Sequence, residues 1–503
     1  MLATIPSATL LGAEGRPVTV EVHVAHGLPC FTIVGLPDEA CRESRDRVRA
    51  AVLSSGLTWP QHRITVNLAP SSMRKGGAGL DLAIAVGVLV ASDQVPVDAV
   101  AGLGFFGELG LDGSVRRVPG IVPLAAAVTT PGLVVPAAAA PEAALVAVGR
   151  VQAAEHLAAV VAALRGEGEW PGWSAPPPTP PPVGPDLADV RGHPVARLAL
   201  ALAAAGGHHL LLVGPPGSGK TMLAQRLPGL LPPLDADVAL TTTMIHSAAG
   251  VALPPGGLVT VAPLRAPHHT ASLVAMVGGG TSAMRPGEIS MAHGGVLFLD
   301  EMGEFPVTVL DGLRQPLEEG RVRVTRAKAA VEFPARFVLI GAMNPCPCGE
   351  GGAPGACACP DAARARYVRR LSGPLLDRFD LRVAVSRPAV HDLMGGLAGE
   401  STAVVAERVA AARRRALRRG VALNSALGPE QLDALAPLSP AASQLLTREL
   451  ERGRLTGRGL HRVRRVARTI GDLDDGGDVV EESWVAGALH LRVDLLALTR
   501  QAA

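Results

Sequence analysis

The sequence predicts a multidomain α/β chain, and three observations predict it. Strand-like and helical patterns alternate from residue 1 to about 165, as in an α+β domain. A proline-dense stretch over 166–185 interrupts them. Beyond it, over 186–395, an apolar run leads into a glycine-rich loop and then a helix, the beginning of an α/β core, and from 396 to 503 the pattern is helical. A chain of 503 residues has room for about three domains.

The first part can be read element by element. Val18–Val24 alternates with period two and predicts a strand. Phe31–Pro37 is a strand running into a turn. Asp38 or Glu39 starts a helix that continues through Arg49 to Leu53. Arg63–Leu68 is a further strand, and Asp81–Val86 opens an apolar helix. The stretch Trp170–Pro182 is expected to be extended, semi-rigid and solvated. A proline-rich peptide ligand is the alternative, and the position at a domain boundary favours a linker.

The rest of the chain is organised around Gly214, Pro215, Pro216, Gly217, Ser218, Gly219, Lys220 and Thr221. The apolar run Leu210–Val213 precedes this loop and a helical pattern from Met222 to Leu227 follows it, which is the setting a phosphate-binding P-loop requires. Glycines let backbone N–H groups curl around phosphate oxygens. Lys220 can then reach the β- and γ-phosphates, and Thr221 can ligate Mg²⁺. A second apolar strand, Val296–Leu299, ends in Asp300 and Glu301. Adjacent carboxylates at the end of a buried strand call for a cation, because unpaired charge is costly there. Asp300 is read as the Mg²⁺-side acid and Glu301 as the catalytic base. The two motifs together predict ATP hydrolysis.

Further along, Arg321–Phe333 alternates in two halves and predicts a hairpin with Arg326 and Lys328 near its tip. The strand Phe337–Ala342 ends at Met343 and Asn344. Cys346, Cys348, Cys357 and Cys359 form two Cys-x-Cys pairs around a glycine-rich loop, a set suited to structural Zn²⁺; reduced, unligated thiols are the alternative. His268 and His269 have no third ligand at a metal-binding spacing, and a structural or partner-contact role is expected. Residues 186–192 precede a helix over about 194–205 and could pack over the adenine. The helix over 403–419 carries Arg413, Arg414, Arg415, Arg418 and Arg419, read as a solvated face. A second basic helical segment covers 457–468, and a final helix is expected from about Glu481 to Leu498.

The formal net charge of +2 says little about partners, so any nucleic-acid argument rests on local basic clusters. The N-terminal residues lack the charged region of a signal peptide, and the longest apolar runs are too short to span a bilayer, so a cytoplasmic protein is expected. Six cysteines in a long cytosolic chain argue against a disulfide framework.

Four stretches carry a family resemblance: GPPGSGKT at 214–221, VLFLDE at 296–301, AMNPCPCG at 342–349 and SGPLLDRFDL at 372–381. They resemble the YifB/ComM family of Mg-chelatase-like AAA+ ATPases, and the resemblance extends over nearly the whole chain. GLPCFTIVGLPDEACRESRDRVRAA at 27–51 and RITVNLAPSSMRKGGAGLDLAIAVG at 63–87 resemble that family's N-terminal domain. The resemblance implies a Lon-protease-like fold for residues 1–165, an AAA+ core and a C-terminal helical lid. It implies that Asn344 is a sensor-1 residue orienting the attacking water. Arg378 would be the arginine finger reaching the neighbouring subunit's γ-phosphate, and Arg458 the sensor-2 residue, with Arg462 its rival one turn along. It also implies a hexameric ring with the basic hairpin in its pore, acting on single-stranded or branched DNA by branch migration or helicase-type remodelling in recombination or natural transformation.

Lon-type proteolysis needs a serine at a glycine-rich helix start and a lysine further on. The matching stretch Lys75–Asp81 has no serine, and Gly107–Pro123 has no lysine, so the N-terminal domain is read as non-catalytic. Two rival functions are a magnesium-chelatase motor subunit driving metal insertion and an ATP-dependent protein-remodelling or protease-like factor.

Overall fold

The long alternating strands at the start of the chain pair with one another. The computed structural model describes residues 1–175, 177, 184–280, 284–326, 329–350, 357, 359–395 and 399–495. Strands β1 (Leu2–Leu11), β2 (Glu14–Ala25), β3 (Cys30–Val34) and β4 (Arg63–Ala69) form a sheet in the order β1–β2–β4–β3. Only β3 and β4 run parallel, and helix α1 (Glu39–Ser54) makes the crossover between them. Asp38 caps α1 by accepting from the Cys41 N–H at 2.9 Å, and its other oxygen accepts from the Gly77 N–H at 3.0 Å. Every residue of α2 (Asp81–Ala91) is buried, as its uniform apolarity requires. The one charge on α2, Asp81, is matched by Arg47 at 2.7 Å. A three-stranded parallel sheet, β5 (Leu103–Phe105), β6 (Gly132–Pro136) and β7 (Arg150–Ala154), and helix α3 (Leu157–Arg165) complete this part.

The proline-rich stretch starts later than its composition suggests. Trp170 packs on the core beneath the first sheet, and the Trp173 indole donates to the Val151 carbonyl at 2.9 Å. Both tryptophans therefore belong to the N-terminal part. Most of the prolines that follow lie outside the described residues.

Beyond it, helix α4 (Pro194–Gly206) leads into a five-stranded parallel sheet. Its strands are β8 (Leu210–Val213), β9 (Leu264–Arg265), β10 (Val296–Leu299), β13 (Val338–Met343) and β14 (Leu381–Ala384), in the order β9–β10–β13–β8–β14. β8, β10 and β13 are buried along their whole length, as expected for strands covered on both faces. Strand β13 lies between the strand that feeds the glycine-rich loop and the strand that ends in two acids. The C-terminal ends of all three therefore open onto one edge, where ligands bind in parallel α/β sheets.

Between β10 and β13 stands the expected hairpin, β11 (Arg321–Arg326) with β12 (Ala329–Pro334), in register from Arg321↔Pro334 to Arg326↔Ala329. One face of its stem buries Val322, Val324, Val331 and Phe333; on the other, Glu332 pairs with Arg321 and Arg323. Lys328 and the Arg326 side chain lie outside the described residues. The turn between β1 and β2 rests on this stem. At Gly12 (φ +68°) an added Cβ would stand 2.3 Å from Val331, so close packing and backbone both favour glycine there.

Helices α6 (Thr402–Arg418), α7 (Pro440–Glu451), α8 (Gly457–Leu473) and α9 (Glu482–His490) form most of the C-terminal part. Two expectations fail here. The arginines of α6 are not all solvated. Arg413 donates to the Ala204 carbonyl at 2.7 Å, Arg415 to the Asp472 carbonyl at 2.5 Å, and Arg419, one residue past the helix, to Asp472. Their planar forks satisfy carbonyls and a buried carboxylate between helices. The final helix also ends at His490, and the expected end at Leu498 lies outside the described residues. Arg382 in β14 donates its N–H to the Leu491 carbonyl at 2.7 Å and accepts from the Val493 N–H at 3.0 Å, which draws the chain into extended pairing.

Two histidines hold β13 in place. His209 Nδ1 accepts from the Leu339 N–H at 3.0 Å, and His293 Nδ1 accepts from the Arg336 N–H at 3.1 Å. An accepting ring nitrogen must be unprotonated. Burial pushes both rings down to about 4, against 6.5 when free. As pH falls from 6.5 toward 4 the unfolded chain takes up protons that the folded chain refuses. Stability should therefore fall over that window, by roughly 3 kcal/mol per ring at full effect. Urea unfolding followed across it should give a steeper loss for the parent than for His209→Asn; equal slopes would remove His209 from this role.

Candidate nucleotide site

The loop from Gly214 to Thr221 leaves β8 and enters the short helix α5 (Lys220–Ala224). Two of its glycines are conformationally required, Gly217 at φ +74° and Gly219 at φ +85°. An added Cβ at Gly217 would meet nothing within 4 Å, so the loop presents an open cradle. Lys220 folds over this loop. Its ammonium donates to the Gly214 carbonyl at 2.7 Å, the Pro215 carbonyl at 2.9 Å and Asn344 Oδ1 at 3.2 Å. Burial lowers the Lys220 pKa, against the opposing pull of Asp300 and Glu301. A phosphate in the cradle would favour the charged form. The donor set and the open loop fit a nucleoside triphosphate.

The acidic strand end faces the same edge. Thr221 Oγ1 donates to Asp300 Oδ2 at 2.7 Å, so the hydroxyl and carboxylate suited to a Mg²⁺ ion already adjoin. The Glu301 N–H donates to Asp300 Oδ1 at 2.9 Å, and Glu301 itself has φ +49°, a left-handed conformation that is uncommon for a residue with a side chain. Such strain is tolerated where the surroundings over-determine it. One of those surroundings is His269, whose Nδ1 lies 3.2 Å from Glu301 Oε2. The His269 ring lies 4.1 Å from that of His268 and meets Phe305 edge-on. Sequence reasoning left both histidines without chemistry. The contact to Glu301 joins two residues far apart in the chain, and no spacing rule reveals it.

His193 was missed as well. It precedes α4 at φ +55°, beside Gly219, and its Nε2 is buried with no hydrogen-bond partner among the described residues. Ser218 Oγ is buried and unpartnered in the same way. Orphaned polar atoms around an open loop are what an absent ligand leaves.

Other predicted residues are placed as follows. Arg378 pairs with Glu318 at 2.7 Å. Arg458 is exposed in the first turn of α8. Its rival Arg462 is the one that reaches the core, donating to the Arg378 carbonyl at 3.2 Å and to Asp380 Oδ1 at 2.7 Å. The ligand sulfurs of Cys346, Cys348, Cys357 and Cys359 lie within 4.8 Å of one another, with Cys346 and Cys348 at 3.3 Å. Tetrahedral zinc with Zn–S bonds of about 2.3 Å sets its sulfurs roughly 3.8 Å apart, so the set fits. A hydrogen bond from the Cys359 N–H is the largest factor drawing the Cys357 thiol down to about 7, while the neighbouring Cys359 thiol is pushed up despite a backbone hydrogen bond at Cys348.

Comparison with known proteins agrees with this architecture. Residues 186–393 match the family described as magnesium chelatase, subunit ChlI; residues 20–139 match subunit ChlI of Mg-chelatase, and 399–492 match the ChlI C-terminal family. The chain is similar to the protein YifB of Escherichia coli, 40% identical over 99% of each chain. It is similar to the competence protein ComM of Haemophilus influenzae, 40% identical over 98% of this chain and 97% of the relative. The 67 kDa magnesium-chelatase subunit of Heliobacterium mobile is 30% identical over 33% of this chain and 28% of its own length.

Proposed function

This chain belongs to the YifB/ComM family of Mg-chelatase-like proteins, and from that premise we propose that it is an ATP-hydrolysing AAA+ ring motor that remodels DNA. The observation that carries the ATPase reading is the meeting of Lys220, Asn344, Thr221 and Asp300 at one sheet edge. In this reading Lys220 and the loop N–H groups hold the phosphates. Thr221 and Asp300 would hold Mg²⁺, which would supply positive charge against the phosphates. Glu301 takes the proton of the attacking water, Asn344 orients that water, and His193 faces the adenine. The four cysteines hold structural zinc and close the chain after Asn344. Arg378 acts on the neighbouring subunit of a hexamer, the N-terminal part is a Lon-like scaffold without peptidase chemistry, and the C-terminal helices form the lid. Arg458 is the sensor-2 candidate, with Arg462 its rival one turn along α8.

The DNA reading is supported by the full-length likeness to a competence protein and by the hairpin that stands between β10 and β13. The chelatase rival is weaker, since likeness to the chelatase subunit covers only 33% of this chain. Among the described residues no helix is long and apolar enough to cross a membrane. Arg326 and Lys328, repeated around a ring, would line the pore with charge that meets phosphates regardless of sequence. Arg326→Ala with Lys328→Ala should leave basal ATPase near the parent's. It should reduce DNA-stimulated ATPase and strand displacement together. Binding should also become less salt-dependent, its log–log slope falling by about one for each phosphate no longer neutralised. Unchanged DNA binding and displacement would exclude this hairpin as the DNA-engaging element.

A further inference from the structure

The cysteine cluster and the phosphate loop share a short piece of chain. Asn344 leaves β13 and accepts from Lys220 at 3.2 Å. Cys346 and Cys348 follow it. The next residue, Gly349, has φ +82°, and an added Cβ there would stand 2.8 Å from the ring of Pro216 in the phosphate loop. Glu350 then pairs with Arg387 at 3.4 Å, and Arg387 donates to the Pro216 carbonyl at 3.4 Å. The segment thus touches the phosphate loop near both of its ends, at Lys220 and at Pro216, and two of the thiols lie between those points.

Among the described residues of 344–360 none lies in a helix or strand. Four thiolates on one divalent ion would fix this segment from both sides of its loop. Such a centre carries two net negative charges. The Arg364 side chain, only 5% exposed, supplies a fixed positive charge beside it, with Nη2 3.5 Å from the Cys357 carbonyl.

We propose that Cys346, Cys348, Cys357 and Cys359 hold a Zn²⁺ ion that braces the phosphate loop, so that ATP affinity follows metal occupancy. The proposal rests on reading residues 214–221 as an ATP site. Loss of the ion frees the segment after Asn344. Gly349 then no longer backs Pro216, and the Asn344 amide no longer meets Lys220. Outer-sphere supports of this kind act through position, and misplacement by about 1 Å can cost on the order of a hundredfold.

The test uses the full chain purified without chelator. Zinc is measured by elemental analysis, and affinity for a fluorescent ATP analogue is titrated before chelation, after it, and after zinc is returned. The brace predicts bound zinc, at least about tenfold weaker nucleotide binding once it is removed, and recovery with zinc but not with added magnesium. Cysteine substitutions risk misfolding, so Gly349→Ala serves as the variant. It keeps all four ligands and should retain zinc while binding ATP more weakly. Zinc present but without effect on affinity would overturn the brace and leave the metal site. A protein that holds no zinc and gives no thiolate-to-metal absorption on titration with Co²⁺ would overturn the site itself. A zinc-loaded protein that binds no ATP analogue would instead refute the nucleotide reading, and the brace with it.

Discussion

A Glu301→Gln protein should bind ATP about as tightly as the parent and hydrolyse it roughly 10²- to 10⁴-fold more slowly, the range for loss of a general base. The substitution keeps the side chain's shape and removes only its ability to take a proton. Glu301 is the second residue past β10 and has a strained φ of +49°; its Oε2 lies 3.2 Å from His269 Nδ1, while the Asp300 carboxylate is engaged by Thr221 and by the Glu301 N–H. The two acids therefore have separate tasks. Lys220→Ala provides the contrast: it removes the ammonium shared by the loop carbonyls and Asn344 and should abolish nucleotide binding altogether. Phosphate release at saturating ATP, together with a binding titration of each variant, separates these outcomes. Normal turnover by Glu301→Gln would remove Glu301 from its role.

Arg378→Ala should bind ATP and lose on the order of 10³-fold in turnover, as expected when an arginine finger is removed. Within one chain its guanidinium pairs with Glu318 at 2.7 Å, while Arg462 holds its backbone carbonyl. An exposed pair of this kind contributes little to stability, so the side chain is free to exchange Glu318 for a neighbour's phosphate. If it acts across a subunit boundary, Arg378→Ala mixed with Lys220→Ala should regain part of the parent's turnover. In some mixed rings an intact loop then meets an intact finger. Mixed rings that form but stay inactive at every ratio would place the finger elsewhere.

What could be read from the sequence was what is encoded locally. The loop at 214–221 announces itself by glycines whose positive φ values are required in place, and the acidic strand by apolar residues that end in charge. The hairpin stem was legible because its alternation sorts Val322 and Val324 to one face and Arg321 and Arg323 to the other. The strand order was not legible, since it depends on β13 inserting between β8 and β10. The docking of Arg413 on Ala204, more than two hundred residues away in the chain, was invisible for the same reason. So was the His269–Glu301 contact, and so was the end of α9, where extended pairing with Arg382 outcompetes a helical pattern that continues in the sequence.

Coupling of ATP hydrolysis to DNA is the central claim, and steady-state ATPase measured with forked or four-way DNA tests it most directly, against linear duplex and against a porphyrin. Stimulation by branched DNA should exceed that by linear duplex, porphyrin should give no response, and the stimulation should decline as salt rises. Hydrolysis indifferent to every DNA, or raised by porphyrin alone, would contradict it.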